Sequence, residues 1–320
     1  MRRLIGAVVG LALAGGIVFY VLTMPRLIGQ SALPQHVADL KNGEYMFNAG
    51  GCASCHSAPA AAKCDDLKAT DRRVLAGGRC LITPFGVFYM PNISPDPEAG
   101  IGGWSKIQFV NAMMRGVSPA GAHYYPAFPY TSYQRMRYED VLDLKAYLDT
   151  LPAVSSRPPG HQLALPFRMR RGLGLWKRLY LDGKQYAAAP KADAAVKRGA
   201  YLVEGPAHCG ECHTPRDLFG GKVTTARFAG GPAPEGKGYI PNITPHKSGL
   251  GGWTEKDIAE ALKTGLTPSF DSFGGSMVAV QENMAKLTGK DRAAIAVYLK
   301  SLPPVASAVR AKDEKAEGAN

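Results

Sequence analysis

The chain has 320 residues, 46% of them hydrophobic, and a net charge of +12. Such a basic excess suits an acidic protein or an anionic lipid surface. Nucleic acid is excluded as a partner, because the N-terminus directs the rest of the chain out of the cytoplasm. With 37 glycines and 24 prolines the loops are long, and no run alternates well enough to read as a sheet.

Met1-Arg2-Arg3 precedes an apolar stretch, Leu4 to Met24, with no charge until Arg26. About 20 apolar residues suffice to cross a bilayer as a helix. The segment Phe19 to Pro25 lacks a small-x-small cleavage site, which favours an uncleaved anchor over a signal peptide. Arg2 and Arg3 stay inside, so residues 1–32 read as a bacterial inner-membrane anchor with a short linker. The remainder is then periplasmic.

Residues 33–155 form the first expected domain. A helix over 37–48 leads into Cys52-Ala53-Ser54-Cys55-His56, and the motif returns as Cys209-Gly210-Glu211-Cys212-His213. Cys-x-x-Cys-His is the attachment signature of c-type haem. The two thiols form thioethers to one porphyrin, and the adjacent histidine becomes the proximal iron ligand. A zinc site would need a second Cys or His pair close by, and a redox dithiol would usually follow a strand. Neither context is present. Two covalent haems c are expected, held by Cys52, Cys55, Cys209 and Cys212, with His56 and His213 on the irons.

Further landmarks recur in order at an offset of about 150 residues, the mark of duplication. Ala76-Gly77-Gly78 returns as Ala229-Gly230-Gly231, and Pro91-Asn92-Ile93-Ser94-Pro95 as Pro241-Asn242-Ile243-Thr244-Pro245. Gly102-Gly103-Trp104-Ser105 returns as Gly251-Gly252-Trp253-Thr254. Ser105 and Thr254 read as N-caps of helices over 106–115 and 255–263. Closing helices are expected over 139–148 and 290–299, each with a proline just beyond. Phe85, Phe88, Tyr89, Tyr239, Ile240, Trp104 and Trp253 are expected to wall the haem pockets. Cys64 and Cys80 remain, and an even remainder in an oxidising compartment reads as one disulfide.

The connector, 156–190, holds seven basic residues against Asp182 alone. It is expected either to meet an acidic partner or anionic lipid, or to be a solvated strap. Residues 191–305 form the second domain, opening with a helix over 194–203, and 306–320 read as a disordered tail.

Motif and helix order resemble class I cytochrome c folds, where a methionine before the closing helix is usually the sixth ligand. That implies Met277 in the second domain, with Met284 in the core. In the first, Phe128 stands where a methionine would be expected. Met136 and His123 are the alternatives there, beside an open site. The whole resembles the cytochrome c subunits of bacterial membrane-associated alcohol, aldehyde and gluconate dehydrogenases, over roughly residues 37–304. Both haem motifs, the Pro-Asn-Ile and Gly-Gly-Trp segments and Tyr125 to Tyr133 carry this resemblance. In that family the tyrosine-proline segment typically reads Pro-Ala-Met-Pro-Tyr, and three haem domains are common.

The fold is therefore expected to be mainly α, two tandem class I cytochrome c domains after a transmembrane helix. The implied role is an electron-transfer subunit with no activity alone. It would take electrons from a periplasmic dehydrogenase of alcohol, aldehyde or sugar-acid type, and pass them to a cytochrome, quinone or oxidase. The competing reading is a dihaem enzyme, a peroxidase or sulfur-compound oxidoreductase, using an open haem in the first domain.

Overall fold

The computed structural model describes residues 1–59, 71–187, 189–233 and 238–307. It opens with α1 (Arg2–Leu22), none of whose residues is buried. Its length and apolar composition would allow it to cross a membrane.

Beyond α1 the chain builds the same helix pair twice. In the first half α2 (Leu40–Ala49), capped by the Asp39 carboxylate, crosses α6 (Tyr138–Leu148). In the second, α8 (Ala194–Glu204) crosses α12 (Gly289–Ser301). A glycine sets each crossing. A Cβ on Gly43 would lie 2.2 Å from the Asp143 carbonyl oxygen, and one on Gly199 would lie 1.9 Å from that of Ala294. Only a residue without a side chain lets the backbones approach so closely.

The helix after each tryptophan starts as expected. Ser105 and Thr254 form capping boxes at α4 (Lys106–Arg115) and α10 (Glu255–Thr264), satisfying otherwise orphaned N–H groups. Left-handed Gly116 and Gly265 end them. Short α5 (Tyr130–Tyr133) and α11 (Met277–Met284) precede the closing helices. Val110, Met136, Val141 and Leu148 centre one core. Leu202, Met284, Ile295 and Leu299 centre the other, as expected for Met284. Trp104 packs on the first core and Trp253 on the second, and Tyr45 touches both.

The expectation of no sheet is corrected. Strands β1 (Cys80–Thr83), β2 (Gly86–Tyr89) and β3 (Gln162–Leu163) form one antiparallel sheet. β4 (Gly231–Pro232) and β5 (Tyr239–Ile240) form a second. Strands this short span too few residues for alternation to register, and β3 comes from the connector. Two residues expected at the pocket walls lie in or beside this sheet. Phe88 packs with Tyr125 and Leu163 in a satellite cluster, and Phe85 lies edge-on to Phe167. Cys80 is disulfide-bonded; Cys64, its expected partner, lies outside the described residues.

The connector is a packed element and not a free strap. In α7 (Leu173–Tyr180) the buried Lys177 ammonium donates to the carbonyls of Arg115 (2.7 Å) and Gly116 (2.6 Å) at the end of α4. It thereby satisfies helix C-terminal acceptors and sits on the negative end of the dipole. At the other end of the chain, Asn242 Nδ2 donates to the Val305 carbonyl at 2.7 Å, and Ser307 is buried. Of the expected tail only residues 306 and 307 are described; 308–320 lie outside the described residues.

Candidate haem-attachment sites

The first motif is α3 (Cys52–His56), entered through left-handed Gly51; the second is α9 (Gly210–His213) with Cys209 at its cap. One helical turn brings cysteines three apart onto one face. Cys55 and Cys212 reach the surface.

The histidines carry the decisive geometry. His56 Nδ1 donates to the Pro91 carbonyl at 2.9 Å, and His213 Nδ1 to the Pro241 carbonyl at 2.8 Å. A carbonyl only accepts, so the proton is on Nδ1 and Nε2 presents a lone pair. That is the tautomer a metal requires, fixed by an outer-shell acceptor. Burial lowers the pKa of both rings and favours the neutral form. Paired thiols and an oriented imidazole fit a covalently held haem iron.

The repeated loops exist to hold those two carbonyls in place. Asn92 Oδ1 accepts from Ser94 N at 2.8 Å while its Nδ2 donates to Val154 O at 2.6 Å. Asn242 repeats this with Thr244 N (2.8 Å) and Val305 O (2.7 Å). Gly77 N and Gly230 N each donate to the histidine carbonyl at 2.8 Å. Both glycines have positive φ, and a Cβ there would meet Met90 O at 2.6 Å or Ile240 O at 2.4 Å.

Each motif also contacts the short helix of the other half. The Ser54 hydroxyl, between the cysteines of the first motif, accepts from Asn283 Nδ2 of α11 at 2.8 Å. Its counterpart Glu211 accepts from Ser132 (2.5 Å) and Thr131 (2.6 Å) of α5. Lys222 and Arg216 pair with the same carboxylate at 2.7 Å each. Burial alone would raise the Glu211 pKa, but these two cations and the hydrogen bonds hold it well below the usual carboxylate range. Further out, Tyr45 of α2 donates to Asp291 of α12 at 2.6 Å, and Tyr201 of α8 donates to Asp140 of α6. Each half gives the other the same kinds of contact, as in an isologous two-fold interface.

Hydrogen bonds align the sixth-ligand segments. Tyr124 N donates to Gly116 O (2.7 Å) where Phe273 N donates to Gly265 O (2.8 Å). Four residues on from these, Phe128 and Met277 occupy equivalent places. Phe128 packs edge-on against Tyr124 and Tyr133. His123 is engaged at both nitrogens: Nε2 donates to Thr23 O at 2.8 Å, and Nδ1 accepts from Lys177 at 3.2 Å. It is a strut between α1 and the connector. Met136 is 1% exposed and stands where Leu287 stands in the second core.

Sequence reasoning missed Glu211, Tyr45, Tyr201 and the carbonyls of Pro91 and Pro241. The recurrence of the Pro-Asn-Ile segment was the available signal for the carbonyls; the others pair across the two halves.

Residues 40–152 match the family model for cytochrome c. The chain is 46% identical over 305 residues to a dihaem c-type cytochrome of Cereibacter sphaeroides, covering 95% of this chain and 100% of the relative. It is 37% identical to the fructose dehydrogenase cytochrome subunit of Gluconobacter japonicus, covering 84% of this chain and 53% of that subunit. It is 36% identical to the cytochrome c subunit of a quinone alcohol dehydrogenase of Gluconacetobacter polyoxogenes, covering 83% and 56%. The chain thus spans about half the length of these two dehydrogenase subunits.

Proposed function

From the premise that the chain belongs to the dihaem c-type cytochromes and holds two covalently bound haems c, we propose that it is a membrane-anchored relay. It takes electrons from a periplasmic dehydrogenase of alcohol, aldehyde or sugar-acid type and passes them to a cytochrome, quinone or oxidase of the respiratory chain. In this reading α1 spans the inner membrane with the haem halves on the periplasmic side. The halves are two class I cytochrome c domains, 33–155 and 191–305, joined by the connector. Bound haem supplies reversible one-electron chemistry at the iron.

The protein's part is to position. Cys52, Cys55, Cys209 and Cys212 hold the two groups, and His56 and His213 offer Nε2 while Pro91 and Pro241 fix the rings. Met277 is the sixth ligand in the second half. The observation that carries the reading is the reciprocal contact of each motif with the short helix of the other half, through Ser54–Asn283 and Glu211–Ser132. It ties both attachment segments to one rigid interface, as an internal relay requires. No described group is needed for substrate chemistry.

The test is reduction of both haems, followed by visible absorption, in membranes supplied with a dehydrogenase substrate. Substrate-dependent reduction that vanishes when the gene for this chain is deleted is expected. Haems that stay oxidised with every alcohol, aldehyde and sugar-acid substrate would sink the relay.

One observation favours a second reading. Phe128 carries no donor at the place equivalent to Met277, and His123 is committed elsewhere; with Met136, which lines a small cavity with Cys52, as the remaining internal candidate, a first iron that Met136 does not reach is open to an outside ligand. A peroxidase or sulfur-compound oxidoreductase would use such a site. Peroxide turnover by the purified protein without any dehydrogenase separates the two.

A further inference from the structure

We infer that residues 165–179 of the connector lie in the membrane–water interface, with the notch between residues 120–123 and Arg170–Arg171 taking the phosphate of an anionic phospholipid headgroup. This rests on the reading of α1 as a membrane span.

The connector is fastened to the exit of α1. Arg171 donates through Nε to Thr23 Oγ1 at 2.8 Å and through Nη2 to Tyr20 O at 3.0 Å. Its guanidinium lies 4.3 Å from the Tyr20 ring centroid. Arg178 Nε donates to Leu22 O at 2.6 Å. The two arginines thus satisfy carbonyls at the C-terminal end of α1, where a cation also complements the dipole. Gly174 seals the contact, since a Cβ there would lie 2.6 Å from Thr23 Cα. Wherever α1 leaves the hydrocarbon, this segment is at the same level.

Its surface is what that level demands. Leu165 is 74% exposed, Met169 64% and Leu179 72%, interleaved with arginines. Large apolar side chains alternating with cations describe a segment lying in the interface plane. Among the described residues no carboxylate lies within ion-pair distance of Arg168, Arg170, Arg171 or Arg178. Arg135, Arg198 and Arg216, by contrast, are each paired. With Arg171 and Arg178 engaged at the end of α1, the charges of Arg168 and Arg170 are left for something outside the chain.

The notch gives that charge a shape. It is a cavity of about 290 Å³ lined by Ala120, Gly121, Ala122, His123, Arg170 and Arg171. The small residues keep it open. The Arg170 guanidinium lies over the Tyr125 ring, 5.0 Å from its centroid, a cation–π contact that keeps the cation beside the notch, and a guanidinium fork suits phosphate.

The experiment is hydrogen exchange, read by mass spectrometry, on the full-length haem-loaded protein in lipid nanodiscs. Three preparations are compared: phosphatidylcholine alone, phosphatidylcholine with phosphatidylglycerol, and phosphatidylcholine with added inorganic phosphate. Amides of residues 165–179 are expected to exchange more slowly with phosphatidylglycerol, by about fivefold for each arginine engaged. The Arg168→Gln/Arg170→Gln variant should lose that increment while α2 exchanges unchanged. Equal rates in both lipids would overturn the inference, as would equal protection from inorganic phosphate. Protection that appears only on adding a dehydrogenase would overturn it in favour of a protein partner. Failure of the span reading looks different: the protein would leave the nanodiscs, and residues 4–22 would exchange freely.

Discussion

Single side chains divide the molecule's chemistry between its halves. Met277 and Phe128 occupy equivalent places, and only the first has a lone pair for iron. Met277→Ala should turn the second haem from low-spin to high-spin in low-temperature electron paramagnetic resonance of the oxidised protein. Phe128→Met should add a low-spin species from the first. No change in either spectrum would mean that neither residue faces iron. Lys177 makes a separate prediction. Burial pushes its pKa down to about 7, below the ordinary lysine value near 10.4. Below about pH 7 both folded and unfolded lysine are charged, so the burial cost is fully felt. Between the two values the unfolded chain binds the extra proton, so stability rises with pH. Unfolding in detergent should show that rise, and Lys177→Met should flatten it. The two Cys-x-x-Cys-His motifs were legible because their spacing is local. His123 was not, because its partners Thr23 and Lys177 lie far along the chain and neither pairing leaves a pattern.

At the level of elements, the helices were readable within a few residues because their ends are written locally. Ser105 and Thr254 announce capping boxes, and Gly116 and Gly265 announce the stops. Replacing either cap by alanine should cost about 1 kcal/mol in unfolding experiments. The crossings are less forgiving. Gly43→Ala or Gly199→Ala puts a methyl inside a carbonyl contact and should destabilise by at least 1–3 kcal/mol. Gly252→Ala is the control, since nothing lies within 4 Å of a Cβ there. Equal melting temperatures for all three variants would refute the crossing argument. The small sheets escaped notice for the opposite reason. β3 pairs Gln162 with Val87 and Leu163 with Gly86, a match between the connector and a distant hairpin with too few residues for periodicity.

Across the whole molecule, the duplication was plain in the order of landmarks, but the surface joining its copies was not. Tyr45 finds Asp291 and Tyr201 finds Asp140, so each pair takes one partner from each copy. A repeat shows what is alike, and these contacts depend on how the likenesses are placed. Tyr45→Phe and Tyr201→Phe should each lose about 1.5–3 kcal/mol, as expected for a hydrogen bond to a charged acceptor. The losses should not simply add in the double variant, because the Arg198 guanidinium pairs with Asp291 and lies over both rings, 6.0 Å from Tyr45 and 5.9 Å from Tyr201. Strict additivity in denaturant unfolding would show that Arg198 does not couple the two pairs.

The seam between the motifs also dictates a calendar for biogenesis. Ser54 and the Glu211 side chain are each only 9% exposed in the finished protein, so an enzyme that grips the residues between two cysteines has no access once the copies have closed. For such an enzyme, haem ligation would come first and closure second, with each copy loaded while still apart. A pulse-labelled chain should become stainable for haem before the two copies protect each other from protease. Protection appearing first would mean that the ligation machinery reads the motifs from Cys55 and Cys212, the sides left in solvent.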